Sequence, residues 1–351
     1  MPISELLLPW YDVHARDLPW RVPPGSSQRA DPYHVWLSEI MLQQTTVAAV
    51  KPYFERFLTR WPRIKDLAAA DEADVMRLWA GLGYYARARN LHACAKAVAA
   101  TGGRFPQTQA ALRELPGIGD YTSAAIAAIA FGERAAVVDG NVERVVTRLT
   151  ADDTPLPKAK ANVRLFMEVE TPSERPGDFA QAMMDLGATV CTPKSPSCLL
   201  CPLNGHCEAK KEGRATDFPV KAPKKAKPVR RGAAFVAYRG DEVWLTCRPP
   251  SGLLGGMTQV PTTDWSARQD GARGADAAPF KGDWRHAGQA EHGFTHFGIV
   301  LDVFRAEVAA ASGEGWWCKR AQLAHEALPT LFRKVVATAF PGAPEAGRTK
   351  S

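Results

Sequence analysis

The chain has 351 residues, of which 46% are hydrophobic and 23% charged, values that exclude a disordered protein and leave room for two cores. Its formal net charge of +7 suits a polyanionic partner such as DNA, because phosphate contacts release counterions, and it equally suits a merely solvated basic surface. No apolar run approaches the ~20 residues that span a bilayer. No basic stretch precedes Leu6–Leu8 as in a secretory signal, so a cytoplasmic chain is expected, nucleoid-associated if bacterial, with no membrane partner.

Residues 1–217 predict an all-α domain. Pro9-Trp10 reads as a turn. Asp31-Pro32 reads as an N-cap with proline at the first helical position, followed by helical periodicity over Tyr33–Val47. Further helices are predicted at Asp74–Trp79, Ala86–Ala100, Thr108–Glu114, Tyr121–Phe131, Val142–Thr150, Lys158–Glu168 and Asp178–Leu186. Residues 218–231, FPVKAPKKAKPVRR, carry six basic residues and three prolines but no acid, which predicts an extended linker, either a plain tether or one that also touches phosphates. Residues 232–340 change to a period of two and predict an α+β domain. Ala233–Tyr238 and Glu242–Thr246 form a hairpin around Arg239-Gly240-Asp241, Phe294–Val303 is a further strand, and Leu323–Phe340 supplies a helix or two. Residues 341–351 read as a disordered tail.

Four constellations carry chemistry. Cys191, Cys198, Cys201 and Cys207 crowd into one loop, where a tight set means a metal site more often than disulfides in a reducing compartment. Zinc ribbons pair two close knuckles; here only Cys198 and Cys201 are close, which fits an iron–sulfur cluster better than zinc. Gly117-Ile118-Gly119 within LPGIGDYT allows a tight turn that aims backbone N–H groups at a phosphate, with Ile118 anchoring it; the alternatives are a DNA-gripping helical hairpin and an ordinary helix corner. Asp139, after two β-branched residues, reads as a helix N-cap or as a carboxylate facing substrate. Glu39 falls near the apolar side of its helix, where desolvation raises a carboxyl toward the range of a general acid, unless it sits at the solvated edge of the stripe.

Together these segments resemble the MutY-type adenine DNA glycosylases of the helix-hairpin-helix, endonuclease-III-like superfamily. The likeness lies in WLSEIMLQQT at 36–45, GLGYYARARNLH at 81–92, LPGIGDYT at 115–122, VDGNVERV at 138–145, QAMMDLGATVCT at 181–192 and RPPSGLLGG at 248–256. It implies a helix-hairpin-helix glycosylase domain with a 4Fe-4S cluster on the four cysteines, followed by a Nudix-like domain that reads 8-oxoguanine. By the same resemblance, Glu39 protonates adenine at N7, and Asp139 stabilises the oxocarbenium-like sugar and can form a transient adduct. Asn141 and Tyr121 support that pair; Trp20, Arg21 and Gln181 line the adenine pocket; Gln44 and Tyr84, with Leu82 beside them, wedge into the duplex. Thr295 and His296 match the loop that touches the oxidised base, although His296 also reads as a satisfied strand-end histidine. The implied partner is double-stranded DNA with adenine opposite 8-oxoguanine, bound by a monomer.

Lyases of the superfamily carry a nucleophilic lysine where this chain has Tyr121, so a monofunctional glycosylase is expected. The competing readings are an endonuclease-III-like lyase, a non-catalytic cluster-bearing DNA-binding protein and a nucleotide-pool hydrolase. The last needs metal-binding acids that are missing after residue 256.

Overall fold

The computed structural model describes residues 1–223, 226–249 and 252–341. The chain divides into two compact units, Met1–Ala70 with Asn90–Lys224 and Asp71–Arg89 with Lys225–Ser351.

The first unit contains α1 (Ile3–His14), α2 (Pro32–Leu42), α3 (Val47–Arg60) and α4 (Ile64–Ala68). The chain passes through α5 (Glu72–Trp79) in the second unit, and α6 (Ala86–Ala100) leads back to the first. There follow α7 (Gln109–Arg113), α8 (Asp120–Phe131), α9 (Gly140–Leu149), α10 (Lys160–Glu170), α11 (Pro176–Thr189) and α12 (Glu208–Lys211). At the centre is α8, whose alanine-rich run Ala124–Ala128 is buried and lets α2, α7 and α11 pack close around it. A second core gathers Leu7 and Tyr11 of α1, Val142 and Val145 of α9, and Phe179 and Met183 of α11.

Three expectations are corrected here. Pro9-Trp10 is no turn but lies inside α1; burial of Leu7 and Tyr11 against the second core outweighs the hydrogen bond a mid-helix proline forfeits. The helix predicted over Tyr33–Val47 stops at Leu42, the chain turns through Gln44 at φ 59°, and α3 starts afresh with the Thr46 hydroxyl accepting from the Ala49 N–H. Phe218–Arg231 is not wholly a linker. Phe218 is buried, with its carbonyl accepting from Arg148 Nε, and Val229–Arg231 already belong to a strand. Lys224 and Lys225 of that segment lie outside the described residues, as does the tail from residue 342.

The second unit is built on a sheet of β1 (Val229–Arg239), β2 (Glu242–Cys247), β3 (Thr258–Gln259), β4 (Arg285–Gly293), β5 (Gly298–Glu307) and β6 (Trp316–Lys319). The order is β3-β2-β1-β5-β4, with β6 beside β2. β1 runs parallel to β5 from Val229↔Gly298 to Tyr238↔Glu307, and antiparallel to β2 in the predicted hairpin. α13 (Thr330–Ala339) covers the sheet, burying Leu331, Phe332 and Val335 against Val236, Leu301 and Val303. The strand predicted over Phe294–Val303 begins four residues later. Phe294 and Phe297 stack at 4.8 Å across a turn closed by Phe294 N–H donating to the Phe297 carbonyl, so their apparent alternation is turn closure.

Candidate active site

A cavity of about 720 Å³ opens between the start of α8, the start of α9, α2 and α11, a size suited to a small-molecule group. Its lining includes Glu39, Asp139, Asn141, Tyr121, Trp20, Arg21, Gln181 and Gln44, together with Gly117 and Gly119. Residues scattered over some 160 positions of sequence thus meet in one place.

Glu39 comes from the buried side of α2 and is 6% exposed, not a solvated stripe edge. The Tyr121 hydroxyl donates to Glu39 Oε2 at 2.6 Å. Burial pushes the Glu39 carboxyl up to about 7; the Tyr121 hydrogen bond opposes the rise, the charge of Asp139 adds to it, and Arg21 opposes it again. Burial likewise raises the Tyr121 hydroxyl well above its usual range.

Asp139 has the N-cap role the sequence offered, and its side chain also lines the cavity. It caps α9, with Oδ1 accepting from the backbone N–H of Asn141 at 2.9 Å and of Val142 at 2.8 Å. It also lines the cavity, where its Oδ2 accepts from Asn141 Nδ2 at 2.9 Å. Burial raises its carboxyl in spite of these bonds. Asn141 is seated by a close approach: a Cβ on Gly187 of α11 would lie 2.6 Å from the Asn141 Cβ. Its Oδ1 accepts from Arg144, which also donates to the carbonyls of Gly187 and Cys191.

Gly117, at φ 74°, makes the turn before α8, and a side chain there would meet Asn90 Cβ at 2.6 Å. Ile118 is buried, as the anchoring role requires. α8 opens at Gly119 with no side-chain cap, so its first N–H groups are available to an anion. Asp120, which would repel a phosphate there, is ion-paired with Arg113 at 2.7 Å.

The four loop cysteines line one hollow beside α9. Arg148 Nη1 donates to Cys191 Sγ at 3.2 Å and to the Thr192 carbonyl at 2.8 Å, and Nη2 donates to the Pro193 carbonyl at 3.0 Å. Among the described residues no three His, Cys, Asp or Glu side chains are gathered closely enough to hold a single metal ion. Four thiols lining one hollow are the donor set that an iron–sulfur cluster requires.

Of the remaining expected residues, Leu82 and Tyr84 belong to the second unit. Leu82 is buried, whereas Tyr84 is half exposed at φ 50° with the Arg87 guanidinium 5.4 Å from its ring centroid. Thr295 and His296 are exposed at the tip of the β4–β5 turn. Sequence reasoning missed Arg16, which lines the cavity, and Asp185, which lies behind it. Asp185 stands inside QAMMDLGATVCT, where a charge among buried positions of a helix was the available signal.

Residues 37–169 match the helix-hairpin-helix superfamily of base excision DNA repair proteins, residues 191–207 the iron–sulfur binding domain of endonuclease III, and residues 233–338 the NUDIX domain. Among solved structures, a thermostable thymine-DNA glycosylase superimposes with a TM-score of 0.54 at 30% identity, over 60% of this chain and 95% of that one. Fold and cavity define a helix-hairpin-helix DNA repair glycosylase with an iron–sulfur loop. The adenine DNA glycosylase of Homo sapiens is 34% identical over 94% of this chain and 72% of its own length, and that of Mycolicibacterium smegmatis is 41% identical over 63% and 72%. The chain belongs to the adenine DNA glycosylases: it is a DNA N-glycosylase carrying a 4Fe-4S cluster and a C-terminal Nudix-like domain.

Proposed function

We propose that this chain removes adenine mispaired with 8-oxoguanine, or with guanine, from double-stranded DNA in base excision repair, acting as a monomer. The observation that carries the reading is a buried carboxyl and a second, hydrogen-bonded carboxyl on one cavity, Glu39 and Asp139. Adenine within a duplex is out of reach, so the nucleotide is flipped into the cavity at a cost of a few kcal/mol. Gln44, Tyr84 and Leu82 offset that cost by filling the stack, while Gly117, Ile118 and Gly119 hold the backbone. Trp20, Arg21 and Gln181 receive the base. Glu39 gives its proton to N7 as the N9–C1′ bond breaks, and the bonding electron pair passes into the purine, which leaves neutral. Asp139, oriented by Asn141, balances the charge on C1′. Water adds to C1′ and its proton returns to the Glu39 carboxylate.

With tyrosine at position 121 no amine is available there to form a Schiff base, so the enzyme is monofunctional. Cys191, Cys198, Cys201 and Cys207 ligate the cluster, which fastens this loop. Residues 1–217 form the catalytic domain and 232–340 the lesion-reading domain, in which Thr295 and His296 meet the oxidised base.

The test is single-turnover adenine release. Glu39→Gln is expected to lower the rate by roughly 10²–10⁴-fold while leaving duplex binding near wild type. Full activity in that variant would remove Glu39 from the acid role, and abundant borohydride-trapped adduct in the wild type would favour a lyase.

A further inference from the structure

Asp185 lies on α11 behind the cavity wall with no exposed surface, yet it carries a charge. Such a group is costly to bury unless it is fully paired. It accepts four hydrogen bonds from one short segment: Arg16 N–H at 3.0 Å, Arg16 Nε at 2.6 Å, Arg21 Nη1 at 2.6 Å and Arg21 Nη2 at 2.9 Å. The Tyr11 hydroxyl, buried beside this set, has no partner among the described residues, so the two arginines take up the carboxylate's capacity. Both arginines line the cavity, and Asp185 does not.

Arg21 thus stands between two carboxyls. Asp185 grips it in a two-pronged ion pair, the strongest geometry open to a guanidinium. Glu39 is the other, within electrostatic reach but unbonded to it. The other groups acting on Glu39 are Tyr121 and Asp139, and Arg16 and Asp120 line the same cavity. We infer that Asp185 is a positioning residue that touches no reacting atom, and that it keeps the Arg21 cation seated away from Glu39 so that the acid retains its proton. This rests on the reading of Glu39 as the acid.

Without the Asp185 charge, Arg21 loses its counterion in a buried place, and Glu39 is the other carboxyl that acts on it electrostatically. An ion pair with Glu39 holds it as an anion, and an anion cannot protonate the base.

The experiment is the pH profile of single-turnover adenine release by the full, cluster-loaded chain. Asp185→Asn is expected to move the alkaline limb down by about one pH unit, making the rate on that side about tenfold lower while the low-pH rate is spared. Asp185→Glu, which restores the charge, is expected to bring the limb back. Should Asp185→Asn fail to fold, Arg21→Gln is the second arm, and removal of the cation is expected to move the limb up. A limb that stays in place in Asp185→Asn, with the rate lowered equally at every pH, overturns the inference, as does an unmoved limb in Arg21→Gln. An active Glu39→Gln protein marks failure of the underlying reading instead.

Discussion

A carboxyl that keeps its proton at neutral pH inside a protein, but loses it when the chain unfolds, works against folding. Glu39 is such a group, raised from an ordinary value of 4.5 to about 7 chiefly by burial. Between those two values the native state holds a proton that the unfolded chain has released. Stability therefore falls as pH rises through that window and stays lower above it. A rise of that size in so buried a side chain corresponds to about 3 kcal/mol. The protonated carboxyl is thus kept at a cost, as expected if it serves the chemistry proposed for it. Glu39→Gln is predicted to be more stable than wild type by up to about 3 kcal/mol near pH 8, with the gain vanishing below the unfolded value. The Tyr121 hydroxyl still finds an oxygen to donate to in that variant. Urea unfolding of both proteins across this range checks it; parallel stability curves would mean that Glu39 is not held protonated.

At the scale of elements, the turn before α8 joins two constraints at one residue. Gly117 has a left-handed backbone, and its missing side chain is the space Asn90 occupies. Gly117→Ala is predicted to weaken duplex binding by about tenfold, from strain on the order of 1–3 kcal/mol in the loop proposed to hold the phosphate backbone. The excision rate at saturating enzyme should hold, because Glu39 and Asp139 are reached from other elements. Binding titrations beside single-turnover rates separate the two effects, and a lost rate with intact binding would place Gly117 in the chemistry. This turn was legible in the sequence because glycine has few reasons to flank a buried isoleucine at a helix start. Asp139 and Asp31 were legible for a similar local reason, as caps with their own backbone partners. The break at Gln43–Thr46 was hidden, since Trp36, Ile40 and Val47 keep one helical phase across it, and only the Thr46 cap marks the new start. Long-range pairings were hidden altogether. Nothing local to Asp185 names Arg16 and Arg21, 169 and 164 residues away, and nothing local to β1 names β5 as its parallel partner.

For the molecule as a whole, two units with separate cores suit the proposed task of reading two bases. The cavity is lined only by the first unit, and in the proposed function it receives the everted adenine while the second unit reads the opposing base. The β4–β5 turn has the geometry that the proposed contact requires. Phe297 is buried, Phe294 stacks on it, the Lys227 ammonium donates to the Phe294 carbonyl at 3.1 Å, and the two residues between the aromatics are left outward. Pre-ordering these side chains lowers the entropy cost of meeting a base edge. A single hydrogen bond contributes about 0.5–1.5 kcal/mol, so Thr295→Ala is predicted to reduce the rate preference for adenine opposite 8-oxoguanine over adenine opposite guanine by roughly threefold to tenfold. Thr295→Ser keeps the hydroxyl and should keep the preference, and His296→Ala distinguishes a lesion contact from a passive strand-end histidine. In each case the adenine–guanine rate is expected to stand unchanged, because the cavity and its two carboxyls are untouched. Paired single-turnover measurements on the two duplexes decide the matter, and a preference that survives Thr295→Ala together with His296→Ala would move lesion reading away from this turn.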